Sequence, residues 1–481
     1  MSSKSLRANF LWNASYQVLL ILVPLVTTPY LARVLGASQV GVFSYTNSIT
    51  NYFVLFATLG MSQYGVRVIA QAGGDRSKRS KVFSSAYAAQ LCVAVPVALI
   101  YIVYVVVAPF GDVLICFAWG AWVLAAVLDI SWLFFGVEEF KMPTIRSAFT
   151  KLASVFLIFG FVKGPDDLWI YVAAIAGSYL ANALLLWPFL TKYVDLCVPR
   201  WGEVKSHFAP NVRLFAPVVA CSMYLMLDKI LLAAMAGTVE AGYYEYSEKL
   251  AKMPTSVITA LGTVMLPHVT AMMSHGDRDR EVVNLLEQCF WTMECVAIGI
   301  MFGIGAIAPV FTAVFLGSEF TPCENVIPVL AVVVPLIAAS NVIGVQYMLP
   351  KGKDREYAKS VWAGAIANLI LCSLLLKPFG AMGGAVATVL TEGAVLVSQC
   401  LTVRKELPLV RLIGETVPFF IMGFVMFLAV KGANVLLSSF VSDLVVLIIE
   451  IFIGVATYLM LAIVWCKLTG RLEFVRKLLM R

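Results

Sequence analysis

Charge is scarce in this chain. Asp, Glu, Lys and Arg make up 13% of its 481 residues, about half the share usual in soluble domains. A water-soluble enzyme is excluded on that ground, because 61% apolar residues leave too little polar material to cover a globule. The same composition excludes a disordered chain. Histidine occurs only at His207, His268 and His275, and the ten cysteines form no C-x-x-C pair. Neither a metal centre nor a disulfide framework is therefore expected. There is no G-x-x-x-x-G-K loop for phosphates and no G-x-S-x-G elbow, so neither nucleotide hydrolysis nor acyl transfer has a legible site.

What the chain has instead is long apolar runs. A helix rises about 1.5 Å per residue, so a ~30 Å hydrocarbon core takes about 20 apolar residues. Fourteen runs meet that length: 9–34, 40–66, 82–108, 113–137, 145–162, 168–190, 211–235, 241–268, 283–309, 325–350, 359–376, 381–402, 415–432 and 443–467. Backbone groups in lipid must bond within their own segment, which predicts helices, and the short alternating segments of a β-barrel do not occur. The expected class is an all-α polytopic membrane protein.

Orientation follows from the basic residues. With the N-terminus inside, the inner segments collect 27 of the 35 Lys and Arg residues. The outer connections hold Arg33, Lys163, Lys377 and Lys431. Both termini are thus predicted to be cytoplasmic, and the net charge of +7 reads as a positive-inside signal. The run Arg76, Lys78, Arg79 and Lys81 reads the same way, not as a nucleic-acid patch. The first apolar run is interrupted by Asn9, Asn13 and Gln17 and has no small-residue cleavage site, so it is read as a retained span.

The chain repeats itself at an offset of 201 residues. Gly36, Gly41, Phe43 and Tyr45 fall on Gly237, Gly242, Tyr244 and Tyr246, and spans 1, 2 and 3 fall on spans 7, 8 and 9. Six spans separate the copies, so both start on the same side. The predicted organisation is two six-helix lobes, 1–205 and 206–410, related by an axis along the membrane normal. Two further helices and a basic tail occupy 411–481. Gly299-x3-Gly303 and Gly380-x3-Gly384 fit a helix-packing motif.

Charged residues inside spans mark candidate sites, since each at a lipid-facing helix centre costs roughly 2.5–3.5 kcal/mol. Glu245, Glu248, Lys249 and Lys252 lie at i, i+3, i+4 and i+7 of span 8, one arc of about 100°. The stripe faces either a solvated cavity or its own partners, since Glu245 with Lys249 and Glu248 with Lys252 are Glu-first i, i+4 pairs. Span 7 adds Asp228 and Lys229. The first lobe offers Arg33, Asp129 and Lys151, with a polar side on span 2 made of Ser44, Asn47, Ser48, Asn51, Thr58 and Ser62. For the Asn and Ser residues, interhelical hydrogen bonding is an equal alternative. Glu294, Glu392 and Glu450 stand alone in their spans, and the sequence assigns them no role.

Pro24, Pro29, Arg33 and Gly36, followed by Gly41, Tyr45 and Asn47, resemble the start of the Wzx-type oligosaccharide flippases. So do Leu128, Asp129, Trp132, Gly136, Glu138 and Lys141, then Leu227, Asp228 and Lys229, and Gly242, Glu248 and Lys249. These flippases form the polysaccharide transporter branch of the multidrug/oligosaccharidyl-lipid/polysaccharide exporter superfamily. The resemblance implies two lobes around a central cavity that opens alternately to each side of a bacterial cytoplasmic membrane. It implies a polyprenyl-diphosphate-linked oligosaccharide as substrate, with other polysaccharide-assembly proteins as partners. Under it, Arg33, Lys151, Lys229, Lys249 and Lys252 meet the diphosphate. Asn47, Asn51, Asp129, Asp228, Glu245 and Glu248, with Tyr45, Tyr244 and Trp132, meet the sugars. The basic residue often found after the proline closing span 8 is His268 here. No cofactor is implied; H+ or Na+ is the candidate coupling ion.

Two other classes compete. A MATE-type drug/cation antiporter wants an intramembrane carboxylate in the first lobe, where spans 1 and 2 have none and span 4 has Asp129. A glycan polymerase or ligase wants a large outer loop, and the outer connections are short. A peptidoglycan-precursor flippase resembling MurJ is the near variant, with sparse arginines in the cavity helices against it.

Overall fold

The structure, a computed structural model, describes residues 3–107, 112–256, 258–260, 262, 269, 272 and 279–470. Side chains are described from Leu22 onward, apart from 216–217, 220–221, 224–225 and 279–280. Asn9, Asn13, Gln17 and His268 thus lie outside the described side chains. All regular structure among the described residues is helical.

Among the described residues, ten helices are long and apolar enough to cross a membrane. Two of them, Leu22–Ala72 and Asp354–Val403, exceed a single crossing. Each is broken by a glycine, Gly36 (φ 73°, ψ 171°) and Gly380 (φ 55°, ψ −133°), so each supplies two passes. Helix Phe208–Ala236 and the helix that starts at Thr238 occupy the expected seventh and eighth spans. The protein is a multi-pass membrane protein.

The chain divides into two compact units, Met1–Ala233 and Ala234–Arg481. Most of helix Phe208–Ala236 therefore belongs to the first unit, although the repeat register starts the second lobe at 206. The repeat itself has a backbone signature. Gly36 and Gly237, 201 residues apart, both take a positive φ with extended ψ, at 73°/171° and 100°/166°. An L-residue is strained there, so each copy places a glycine where one span turns into the next. The residues that follow are buried in both copies, with Tyr45 at 8% exposure and Tyr246 at 5%.

Several expected spans are not continuous helices. The second ends at Thr58, where Leu59 and Gly60 turn left-handed (φ 44° and 76°) and a separate helix Met61–Ala72 begins. The fourth, expected as 113–137, is helix Val113–Leu128, then extended backbone at Asp129 (φ −72°, ψ 119°), then helix Ser131–Gly136. Hydropathy runs through both breaks unchanged, which is why an apolar run hides them. The expected span 325–350 is likewise divided into Cys323–Ala331, Val333–Ser340 and a π-helical stretch Asn341–Met348.

The core of the first unit is aromatic. Trp132 is 1% exposed, with its ring over Gly65, where a Cβ would sit 2.6 Å from it. Phe83 stacks against Trp132 at 5.2 Å between centroids. In the second unit the helix Asp279–Phe315 packs against Val417–Leu437 and Asp443–Leu468. Gly299 admits the Tyr458 ring there, and Gly384 admits Tyr244. Both G-x3-G motifs thus serve close helix approach.

Candidate functional site

The first unit builds its polar cavity on a helix end. Helix Val113–Leu128 stops with orphan carbonyls, as every helix does. Gln90 Nε2 donates to the carbonyls of Ala126 (3.0 Å) and Asp129 (3.1 Å), Tyr87 Oη to Val127 (3.3 Å), and Trp187 Nε1 to Leu128 (3.0 Å). Gln90 Oε1 in turn accepts from Trp132 Nε1 at 3.0 Å. These side chains hold the break, and the break sets Asp129. Its carboxylate accepts from the Ser131 N–H at 2.9 Å and the Ser131 hydroxyl at 3.0 Å, starting the next helix as an N-cap residue would.

Beside Asp129 lies a cavity of about 240 Å³, lined also by Ser131, Arg146, Asn182, Trp122 and Tyr179. Arg146 donates to the Asn182 carbonyl, and Asn182 Oδ1 accepts from Ser147 at 3.2 Å. Trp122 and Tyr179 stack at 4.9 Å between centroids and 27° between planes. Of these residues, the sequence singled out only Asp129 as a site residue. Arg146 reads there as one of many positive-inside residues, and the Trp122–Tyr179 pair comes from two helices.

The other expected site residues of this unit are dispersed. Arg33 is exposed, while Asn47, Asn51 and Lys151 are half-buried. Asp228 is 1% exposed; its carboxylate accepts from the Lys229 N–H at 2.7 Å and lies within electrostatic reach of the Tyr52 hydroxyl. The Ser and Thr residues around Asn47 serve packing. Thr46 accepts from Trp119 Nε1 at 3.0 Å, and Thr50 bonds back to the Thr46 carbonyl at 2.8 Å.

In the second unit the charged stripe lies on helix Thr238–Lys252. Lys252 pairs with Glu248 at 2.7 Å, the two side chains being 20% and 8% exposed. Lys249 stands over the Tyr246 ring at 5.8 Å, and Glu245 is half-buried. Glu392 is not isolated, as its position in the sequence suggests: it lies within electrostatic reach of both Lys252 and Glu248. The stripe is thus part of a carboxylate-rich cluster that includes the closed Glu248–Lys252 pair. Glu240, one turn before Glu245, accepts from the Ala381 N–H at 2.7 Å and caps the helix that restarts after Gly380. Glu450 accepts from Asn434 Nδ2 at 2.7 Å, a bond between the two C-terminal helices.

Two expected sugar platforms are corrected. Tyr244 is fully buried and hydrogen-bonded to Thr388 Oγ1 at 2.7 Å, and Trp132 is the core residue described above. Both rings are buried in the core.

The extramembrane contacts account for several charges. Arg76 forms a bidentate pair with Asp195 (2.7 and 2.9 Å) and donates to the Thr191 carbonyl at 2.8 Å. The guanidinium holds the Asp195 carboxyl below its usual range. Arg79 donates twice to the Tyr193 carbonyl. Two residues of the basic run therefore fasten the segment 191–195. Glu406, bonded to Lys353, Tyr347 and Lys351, is held down to about 2. His207 is bridged by the hydroxyls of Tyr64 (2.7 Å) and Ser85 (2.8 Å), and burial pushes its imidazole below the ordinary value.

Comparison with known proteins agrees with this architecture. The chain is 24% identical to a putative O-antigen transporter of Escherichia coli K12, over 84% of this chain and 97% of that protein. It is 23% identical to a probable low-salt glycan biosynthesis flippase of Haloferax volcanii, over 75% and 76%. Its fold is similar to that of the lipid II flippase MurJ in an inward closed conformation, with a TM-score of 0.72 over 95% of this chain and 99% of that one at 14% identity. The model of the polysaccharide biosynthesis protein family matches residues 6–273, more than half of the chain. The chain belongs to the polysaccharide biosynthesis protein family.

Proposed function

We propose that this protein is a flippase that moves a polyprenyl-diphosphate-linked oligosaccharide from the cytoplasmic to the outer leaflet, by alternating access. The observation that carries the proposal is the match, over nearly the whole of its length, to a protein named as an O-antigen transporter. The glycan flippase relative and the MurJ-like fold stand beside it. The distribution of charge suits such a cargo. A diphosphate is met by cations, for which Arg33, Lys151, Lys229, Lys249 and Lys252 are the candidates. Sugar hydroxyls are met by the amides of Asn47 and Asn51 and by the carboxylates of Asp129, Asp228, Glu245 and Glu248. The polyprenyl tail stays in the bilayer.

The setting proposed is a bacterial cytoplasmic membrane with both termini inside, the orientation that the distribution of Lys and Arg favours. The protein acts as a transporter and not as an enzyme, without a cofactor, beside the enzymes that build and use the glycan. Proton or sodium coupling is part of the proposal, to be read from the response of transport to each gradient. The test is movement of a labelled polyprenyl-diphosphate oligosaccharide across proteoliposomes. Protein-dependent movement is expected. Uptake of organic cations driven by protons or sodium, with no movement of the glycan lipid, would replace the flippase by an antiporter.

A further inference from the structure

The cavity at Asp129 has a chemistry distinct from that of the cationic positions assigned to the diphosphate. Its lining carries a carboxylate (Asp129), a guanidinium (Arg146), a hydroxyl (Ser131) and a side-chain amide (Asn182), together with the stacked Trp122 and Tyr179. A phosphate would meet the Asp129 carboxylate, and an organic cation would meet the Arg146 guanidinium. A ligand with no net charge escapes both repulsions. It must still offer donors to Asp129 and acceptors to Arg146 and Asn182, while laying an apolar face on the aromatic rings. A pyranose ring does all three, with hydroxyls around its edge and C–H groups on its faces.

The geometry supports the match. A carboxylate has about four acceptor positions, and Ser131 occupies two of those on Asp129. The Asp129 side chain is thereby fixed in orientation while keeping acceptor capacity toward the cavity. About 240 Å³ is the space of about eight waters, below the ~300 Å³ at which drug-sized pockets begin. That is room for one ring, not for an oligosaccharide.

We propose that this cavity is a monosaccharide subsite, holding one neutral pyranose of the cargo between Asp129, Arg146 and Asn182 with its face on Trp122 and Tyr179. The inference rests on the flippase reading and adds to it the part of the cargo this site recognises. In the proposed orientation Asp129, Arg146 and Asn182 lie toward the cytoplasmic ends of their spans, where a newly made glycan arrives, and Trp122 and Tyr179 lie nearer mid-span.

The experiment compares two labelled lipids in proteoliposomes, a polyprenyl diphosphate bearing the oligosaccharide and the same lipid without sugar. Wild type, Trp122→Ala, Trp122→Phe and Asp129→Asn are each measured for initial rate against lipid concentration, with thermal unfolding as the folding control. Asp129→Asn keeps an acceptor oxygen for the Ser131 N–H and loses the one that takes the Ser131 hydroxyl proton, so it tests the charge while the backbone half of the turn remains. Trp122→Ala and Asp129→Asn are expected to raise the half-saturating concentration of the glycan lipid about tenfold, the scale of one lost aromatic or charged contact. Trp122→Phe should recover most of that loss, and the sugar-free lipid should not respond. Folded variants with unchanged half-saturation for the glycan lipid would overturn the subsite, as would equal losses for both lipids. If wild type moves neither lipid, the flippase reading fails and the subsite fails with it.

Discussion

The two units hold their buried charge in opposite ways. In the second unit, Glu245, Glu248, Lys249 and Lys252 sit on one helix, and the closed pair is made by neighbours four residues apart. In the first unit, Asp129, Arg146, Asn182, Trp122 and Tyr179 reach one cavity from three membrane-spanning segments. The first arrangement is local and the second is tertiary. The local stripe is set by helix periodicity, with Glu392 added from a second helix, whereas the tertiary arrangement depends on whatever fixes each segment's end. At Asp129 that is Gln90, Tyr87 and Trp187, all capping carbonyls of the same helix terminus.

Breaking each arrangement should therefore fail differently. The largest effect is expected from Lys252→Ala, which leaves Glu248, 6% exposed, buried beside Glu392 without its cation. Removing one partner of a buried pair costs about 3–5 kcal/mol, visible as a lowered thermal midpoint. The double variant Glu248→Gln with Lys252→Met should regain most of the stability and still not transport. Recovery of transport in that double variant would make the pair purely structural.

Gln90→Leu should follow. It removes the partner of Trp132 Nε1, at about 1–3 kcal/mol for a donor left buried and unbonded, and one of the bonds to each of two carbonyls at the same helix end. Transport should fall with stability, because Asp129 is set by that helix end. Full stability in Gln90→Leu would show that Tyr87 and Trp187 suffice.

A smaller effect concerns pH. Burial holds the folded-state His207 below its unfolded value of about 6.5, while a nearby Glu203 works in the opposite sense and less strongly. As pH falls through that range the unfolded chain takes up the proton first, so stability declines on acidification. His207→Gln should flatten the dependence of the thermal midpoint between pH 7 and pH 5. An identical slope in the variant would assign the dependence elsewhere. The smallest change is expected at Arg76→Ala, whose pair with Asp195 is exposed and screened; the thermal midpoint should not move measurably, and transport should persist.

The same contrast explains what the sequence reveals. The membrane spans are legible because length and composition are properties of a contiguous run, and among the described residues ten long apolar helices with two glycine breaks appear where such runs lie. The Gly36–Gly237 repeat is legible because a positive φ at each copy demands the same residue. The stripe is legible because i, i+4 spacing is visible in one dimension. The breaks at Leu59–Gly60 and Asp129 are hidden, since neither changes the hydropathy around it. Arg146 and the Trp122–Tyr179 stack are hidden because only packing brings separate helices together. Trp132 and Tyr244 show the converse: aromatics that the family resemblance assigns to the sugars are core residues once their burial is known.

The most direct test is transport itself. In proteoliposomes holding the purified protein, a labelled polyprenyl-diphosphate oligosaccharide should cross from one leaflet to the other. The rate should scale with protein and be lost in Lys249→Ala and Lys252→Ala variants that still insert. Equal movement in protein-free vesicles, or wild-type rates in both folded variants, would contradict the account.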